Sequence, residues 1–289
     1  MPIVNHIMDK KAFYAALTAN NLDQYTPQFE TLMQDSIRYH LTPLEDESAA
    51  MPGISKIGGI PDLPAAITWP NDLYENPLSF IAQLDFAEVK PFDTYNVLPE
   101  TGYLFVFYDP YQEMGGYSLD EKPLFRVLYF DGPGEALIRT PFPEGLEDFG
   151  KYKPCSLKGE VQLSMPFKWG KDFSFLSKEE RDIYGEKVWL GGYINKSLGR
   201  ADNMQGEMEG LCQMVTNGFY PDKKEAYDAP ENAALRAGEK DWLLLLQIDS
   251  NEAACGMRWA DMGRLYFWIK KQDLLKRNFD DCWCILQSY

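Results

Sequence analysis

Phe80-Ile81-Ala82-Gln83-Leu84-Asp85 and Leu244-Leu245-Leu246-Gln247-Ile248-Asp249 are the stretches on which the fold turns. Each is an apolar run of strand length that carries one Gln and, two residues on, one Asp, so the polar pair shares a face of the strand. A variable loop follows each run, then a second strand: Gly102-Tyr103-Leu104-Phe105-Val106-Phe107 or Gly263-Arg264-Leu265-Tyr266-Phe267-Trp268. Third strands come next, at Phe125–Phe130 and Cys282–Gln287. Upstream, Lys56-Ile57-Gly58-Gly59-Ile60-Pro61-Asp62 answers Lys196-Ser197-Leu198-Gly199-Arg200-Ala201-Asp202, the same K-x-x-G-x-x-D spacing. Four elements in one order predict an internal duplication. Each half supplies about three strands with an apolar face, and the halves bury those faces together. A groove between such halves is the expected place for a ligand.

The predicted fold class is therefore α+β: a strand-rich single domain built from two similar β-sheet halves, with an N-terminal helical segment. Helices are expected within residues 1–42. Asp9 caps one that carries Phe13, Ala16 and Leu17, and Thr26-Pro27 opens another that carries Phe29, Leu32, Met33 and Ile37. The first repeat covers about 54–130, although Pro and Gly break residues 52–70 too often for regular structure. Residues 131–190 form a connection with strand fragments, in which Ser177-x-x-Glu180 is a capping box. The second repeat covers about 194–289 and includes a helix opened by Ala229-Pro230. No clean linker divides the chain, so one domain is expected over 1–289.

Charge narrows the partners. The 289 residues hold 28 Lys and Arg against 44 Asp and Glu, a formal net charge of −16. A field of that sign repels phosphate backbones, so nucleic acid is not an expected partner, whereas a basic protein would be steered in. No apolar run approaches the roughly 18 residues of a membrane helix, and the N-terminal residues carry no secretory pattern. The cysteines at 155, 212, 255, 282 and 284 are odd in number and form no C-x-x-C, which suits reduced thiols in a cytoplasmic protein.

Several chemistries lack their residues. His6 and His40 are the only histidines, so nucleophilic catalysis that needs an imidazole base is not expected. Cys282-x-Cys284 has no second pair nearby to complete a zinc site, and no metal or cofactor is expected. Lys56-x-Gly58-Gly59 lacks the spacing of a phosphate-binding loop and reads as a turn.

Ser55–Pro64 (SKIGGIPDLP), the Gln83-x-Asp85 strand, Leu98-Pro99-x-x-Gly102, Leu211–Asn217 (LCQMVTN) and Trp259–Tyr266 (WADMGRLY) resemble the YwqG-like family, a bacterial domain of unknown function. The resemblance runs from about Ile37 to the C-terminus and implies a cytoplasmic α+β protein, with an immunity-like role as one option. It brings no activity or cofactor. Where members of that family often carry a His before the Lys, this chain has Asn195-Lys196, so a family histidine at that point has no counterpart here.

The leading functional expectation is a non-enzymatic binding or protein-interaction module, with a basic protein as partner. The alternative is an enzyme that uses Asp62, Asp202, Asp249 and Asp261 as acid–base or metal-binding groups. Candidate groove residues are Lys56, Asp62, Gln83, Lys196, Asp202, Gln247, Trp259 and Asp261. For the four loop charges two arrangements are open: ion-paired clasps at the junction of the halves, or a site facing an open groove.

Overall fold

The computed structural model describes residues 9–166, 168, 170–189, 194–219 and 229–289. Its centre is a ribbon of two ten-residue antiparallel strands, β1 (Gln34–Pro43) and β8 (Cys155–Ser164), paired along their whole length. On the β8 side the sheet continues through β2 (Lys56–Ile57), β4 (Ser79–Asp85), β5 (Tyr103–Tyr108) and β6 (Phe125–Phe130). On the β1 side it continues through β9 (Asn195–Ser197), β10 (Trp242–Asp249), β11 (Arg264–Lys270) and β12 (Trp283–Gln287). The ten strands thus run β12-β11-β10-β9-β1-β8-β2-β4-β5-β6. The order reads alike from both ends, because each leading strand, β1 or β8, pairs with the flank that follows the other one.

The registers match as well. On the first flank Phe80 faces Phe107, Gln83 faces Phe105 and Asp85 faces Tyr103; on the second Leu244 faces Trp268, Gln247 faces Tyr266 and Asp249 faces Arg264. Both ladders slip by one residue at the same step, between Phe80 and Ala82 and between Leu244 and Leu246. Lys56 pairs with Gln83 as Lys196 pairs with Gln247. A local twofold relating these pairs runs through the facing residues His40 and Lys158, in the middle of the central ribbon.

Alternation assigns the two faces of each flank. Leu84, Leu104, Val106 and Tyr108 with Ile248, Leu265, Phe267 and Ile269 fill the main core. The sheet curls until its edges approach: Phe125 of β6 packs on Phe267 and Trp283, and Lys122 Nζ donates to the Cys282 carbonyl at 2.7 Å. On the opposite face of the first flank, Leu78, Phe80, Phe105 and Phe107 form a second core with Leu63 and Leu137 of a small two-stranded sheet, β3 (Asp62–Pro64) with β7 (Leu137–Arg139). A third core joins the N-terminal helices α1 (Lys10–Ala19) and α2 (Thr26–Leu32) to residues 163–188. Phe13, Phe29, Phe173 and Tyr184 meet there, beside a helix over Lys178–Ile183. Asp9 caps α1, accepting from Ala12 N–H at 2.7 Å, and Ser177 with Glu180 forms the capping box.

Helix does not extend through Ile37. Met33 takes extended angles (φ −63, ψ 134) and residues 34–43 are the central strand, because Ile37 and Tyr39 can then reach the main core from one face. The connection at 131–190 likewise holds β8, the other half of the centre. Residues 52–70 supply the short strands β2 and β3. His6 lies outside the described residues. Among those described, no helix is long and apolar enough to cross a membrane.

Candidate functional site

Each flank carries a polar clasp built on its K-x-x-G-x-x-D loop. In the first, Lys56 Nζ reaches Asp62 Oδ2 at 3.1 Å, Glu47 Oε1 at 3.0 Å and the Ile60 carbonyl at 2.6 Å. The Gln83 side-chain carbonyl accepts from Asp62 N–H at 2.8 Å, and its amide donates to the Ile54 carbonyl at 2.9 Å and Asp62 Oδ2 at 3.1 Å. In the second, Lys196 Nζ lies 2.6 Å from Asp202 Oδ2. The Gln247 carbonyl accepts from Asp202 N–H at 2.9 Å, and its amide donates to the Ile194 carbonyl and to Asp202 Oδ2, each at 2.9 Å. The Lys–Asp pair and the three bonds of each Gln are the same in both; the contacts of Lys56 with Glu47 and the Ile60 carbonyl are added in the first. Even the residue before each Lys matches, since Ser55 Oγ accepts from Asp85 N–H and Asn195 Oδ1 from Asp249 N–H.

The loop backbones share a conformation that explains their glycines. Gly58 and Leu198 have φ near +60°, as do Gly59 and Gly199, the left-handed region that a side chain occupies only at a cost. A Cβ at Gly58 would run into the Lys153 carbonyl, whereas Leu198 has space beside it and keeps its side chain.

Both clasps are buried, and buried charges persist only when paired. Lys56 and Asp62 are fully enclosed. Burial opposes the charge on Asp62, yet Arg139, the Gly53 N–H and Lys56 outweigh it and hold its carboxyl below the ordinary value. Burial likewise opposes the charge on Asp202, which Lys196 and Arg264 hold below the ordinary value. Burial lowers Lys196 itself. Asp249 goes the other way: burial raises it, although Arg264 Nε lies 2.7 Å from its Oδ2.

The sequence candidates therefore sort into three groups. Lys56, Asp62 and Gln83 come together, as do Lys196, Asp202 and Gln247. The two sets flank the central ribbon, three strand spacings apart across β1 and β8 and four residues apart along them, and so roughly 20 Å from each other. The axis itself is filled by strands. Trp259 is wholly buried against Tyr108 and Tyr152 and donates to the Asp249 carbonyl at 3.1 Å, so it is a core residue. Asp261 is exposed, its nearest cation being Arg258 at 3.8 Å. Asp62, Asp202 and Asp249 are each engaged by a cation and by N–H donors. His40 meets Glu160 at 2.7 Å on the ribbon, away from both clasps.

What the flanks do not share lies just outside the second clasp. A cavity of about 310 Å³ opens there, walled by Val97, Leu198, Trp242, Leu244 and Trp268, with Arg200, Glu209, Glu239, Lys240 and Lys271 among its polar residues. Trp268 is 2 % exposed, and its Nε1 has no hydrogen-bond partner among the described residues. The Nε of Arg200 is buried and without a partner in the same way. An unmet buried donor costs about 1–3 kcal/mol, so two beside one cavity mark it as polar-ready. Burial raises the acid group of Glu209, which accepts from Met208 N–H at 3.2 Å. An adjoining hollow of about 220 Å³ shares Arg200, Glu209, Glu239 and Lys240.

Sequence reasoning passed over Glu47 and Arg139 of the first clasp and Arg200, Arg264 and Trp268 of the second. One signal was present: aligning the two loops sets Arg200 against Ile60, a charge where the first loop has an apolar residue.

No curated protein matches this chain. A family model does, over residues 55–288, which takes in both flanks and both K-x-x-G-x-x-D loops, and the chain accordingly belongs to the family described as a domain of unknown function, DUF1963.

Proposed function

We propose that this protein is a non-enzymatic binding module that arose by internal duplication, and that its ligand site is the cavity against the second clasp. One observation carries the reading: the same face of the sheet is filled on the first flank and borders a cavity on the second. On the first, Trp69, Leu63 and Leu137 cover Phe80 and Phe107; on the second, the corresponding Leu244 and Trp268 line 310 Å³ of space. That volume lies at the lower end of ligand pockets, about 300–1,000 Å³.

Duplication is supported by the palindromic strand order, the matched ladder slip and the repeated clasp bonds. On this reading each repeat's first strand has crossed into the other half. We place the chain among YwqG-like members of its family, since the residues of that resemblance build the clasps. We also place it in the cytoplasm, because all five cysteines are buried and free. In this reading the clasps are structural, and the carboxylate enzyme has little support because its candidate acids are taken up in ion pairs.

The test is a fragment set screened by ligand-observed NMR against the wild type and against Val97→Phe, which narrows the cavity. Fragments should bind the wild type and be lost from the variant at unchanged melting temperature. If no fragment binds, or the variant binds them all equally, the cavity is not the site. A stoichiometric divalent metal in the purified protein would turn the case toward the enzyme.

A further inference from the structure

The filled flank shows what shape the open one accommodates. Trp69 lies across Phe107 with ring centroids 5.3 Å apart at 73°, and Phe142 closes over it at 6.0 Å. Its Nε1 donates to the Leu78 carbonyl at 2.8 Å. The registers put Trp268 where Phe107 stands, and among the described residues no aromatic ring packs on Trp268. Across the twofold, the place of the Trp69 indole is cavity.

Polarity adds a second constraint. Among the described residues, Trp268 Nε1 and Arg200 Nε are donors without acceptors. Arg200 Nη1 stands 4.0 Å from Asp172 Oδ2, beyond hydrogen-bond distance. Of the two carboxylates in the lining, Glu239 takes Lys171 at 2.8 Å and Glu209 turns back on Met208 N–H. Burial also favours the neutral form of Glu209, which lessens the negative charge an incoming anion meets. Arg200, Lys240 and Lys271 supply the positive charge.

Resting on the cavity being a ligand site, we propose that it binds a small aromatic carboxylate, whose ring lies over Trp268 as Trp69 lies over Phe107 and whose oxygens accept from Arg200 and Trp268. Ring and charge have separate recognition elements: the aromatic and aliphatic walls hold the ring, and the two unmet donors read the carboxylate.

Calorimetric titration of the full chain with indole-3-acetate, and with 3-methylindole as the ring alone, tests this. Indole-3-acetate should bind saturably with one site per chain. Arg200→Gln should weaken it at least tenfold and leave 3-methylindole within twofold, and Trp268→Phe, which keeps a ring and removes the donor, should weaken it three- to tenfold. Should a variant melt early, saturation-transfer NMR on the wild type decides, since the indole ring protons must take up magnetisation from the protein and lose it when benzoate competes. Absence of saturable indole-3-acetate binding, or equal losses of the charged and neutral probes on Arg200→Gln, overturns the proposal. If the Val97→Phe screen still finds cavity ligands and none is an aromatic carboxylate, the site stands and this ligand class falls.

Discussion

The two flanks of the sheet hold the same clasp and surround it differently. Around the first, Glu47 and Arg139 close in: Glu47 bridges Lys56 to the Ile60 N–H, and Arg139 spans Asp62 Oδ1 and the Glu47 carbonyl. Around the second, Arg264 and Tyr266 donate to the Asp202 carbonyl at 2.8 and 2.7 Å from the strand itself, and the loop's outer side borders the cavity. The repeated part fixes register, because a Gln that must satisfy both an N–H and a carbonyl on a neighbouring loop cannot slip by one residue without losing both. The unrepeated parts are insertions between strands, which are free to fill a face or leave it open. On the proposal made above, one face of the scaffold serves as structure and its counterpart as site.

The largest effect should come from removing the fully enclosed carboxylate. Asp62→Ala leaves Lys56, Arg139, the Gly53 N–H and the Gln83 amide short of their shared acceptor, and should cost about 3–5 kcal/mol in denaturant unfolding. Asp202→Ala should cost less, because Asp202 is 12 % exposed where Asp62 is fully enclosed. A larger loss for Asp202→Ala would break the comparison. Acid sharpens it. Asp62 is held below its ordinary 3.8, so its contribution is present above that value and fades as pH falls through the native one. The stability gap between wild type and Asp62→Asn should close over that acid range.

An intermediate effect is expected at the loop backbone. Gly58→Ala forces a side chain against the Lys153 carbonyl at positive φ and should cost about 1–3 kcal/mol. Leu198 shows that this φ alone is tolerated when the space beside it is open. A neutral Gly58→Ala by thermal unfolding would mean that the first loop is no more tightly packed than the second.

Much of the match between the flanks was legible because its signal is local: a Gln inside an apolar strand, a fixed K-x-x-G-x-x-D spacing, and a glycine ahead of each second strand. The central ribbon was not. Phe29, Leu32, Met33 and Ile37 fit helical spacing as well as Ile37, Tyr39 and Leu41 fit alternation, and only pairing with residues more than a hundred positions away decides between them. β8 is harder still, with Lys158, Gly159 and Glu160 at its middle. The pairing of each Lys with its Asp was anticipated as one of two arrangements. Which flank is open depends on Trp69 folding over one and not the other, and no spacing within either repeat encodes that. Trp259 and Asp261 were grouped by proximity in sequence, but the turn between them sends one into the core and the other to solvent.

The smallest effect concerns the cavity wall. Burial raises the acid group of Glu209 above its ordinary 4.5, so the native state binds that proton more tightly than the unfolded chain does. A group of this kind favours folding below its unfolded value and loses that advantage as pH rises through its native value. At neutral pH the side chain is therefore a net cost to stability. Glu209→Gln keeps the shape and the acceptor for the Met208 N–H while removing the charge. It should raise the melting temperature slightly at pH 7, and the gain should vanish as pH falls below about 4.5. If the cavity receives an anion, the same substitution should also tighten indole-3-acetate at neutral pH and leave 3-methylindole unchanged. A lower melting temperature at pH 7 would show that the carboxylate is paid for by a partner, and the contrast between a saturated flank and a poised one would lose its electrostatic half.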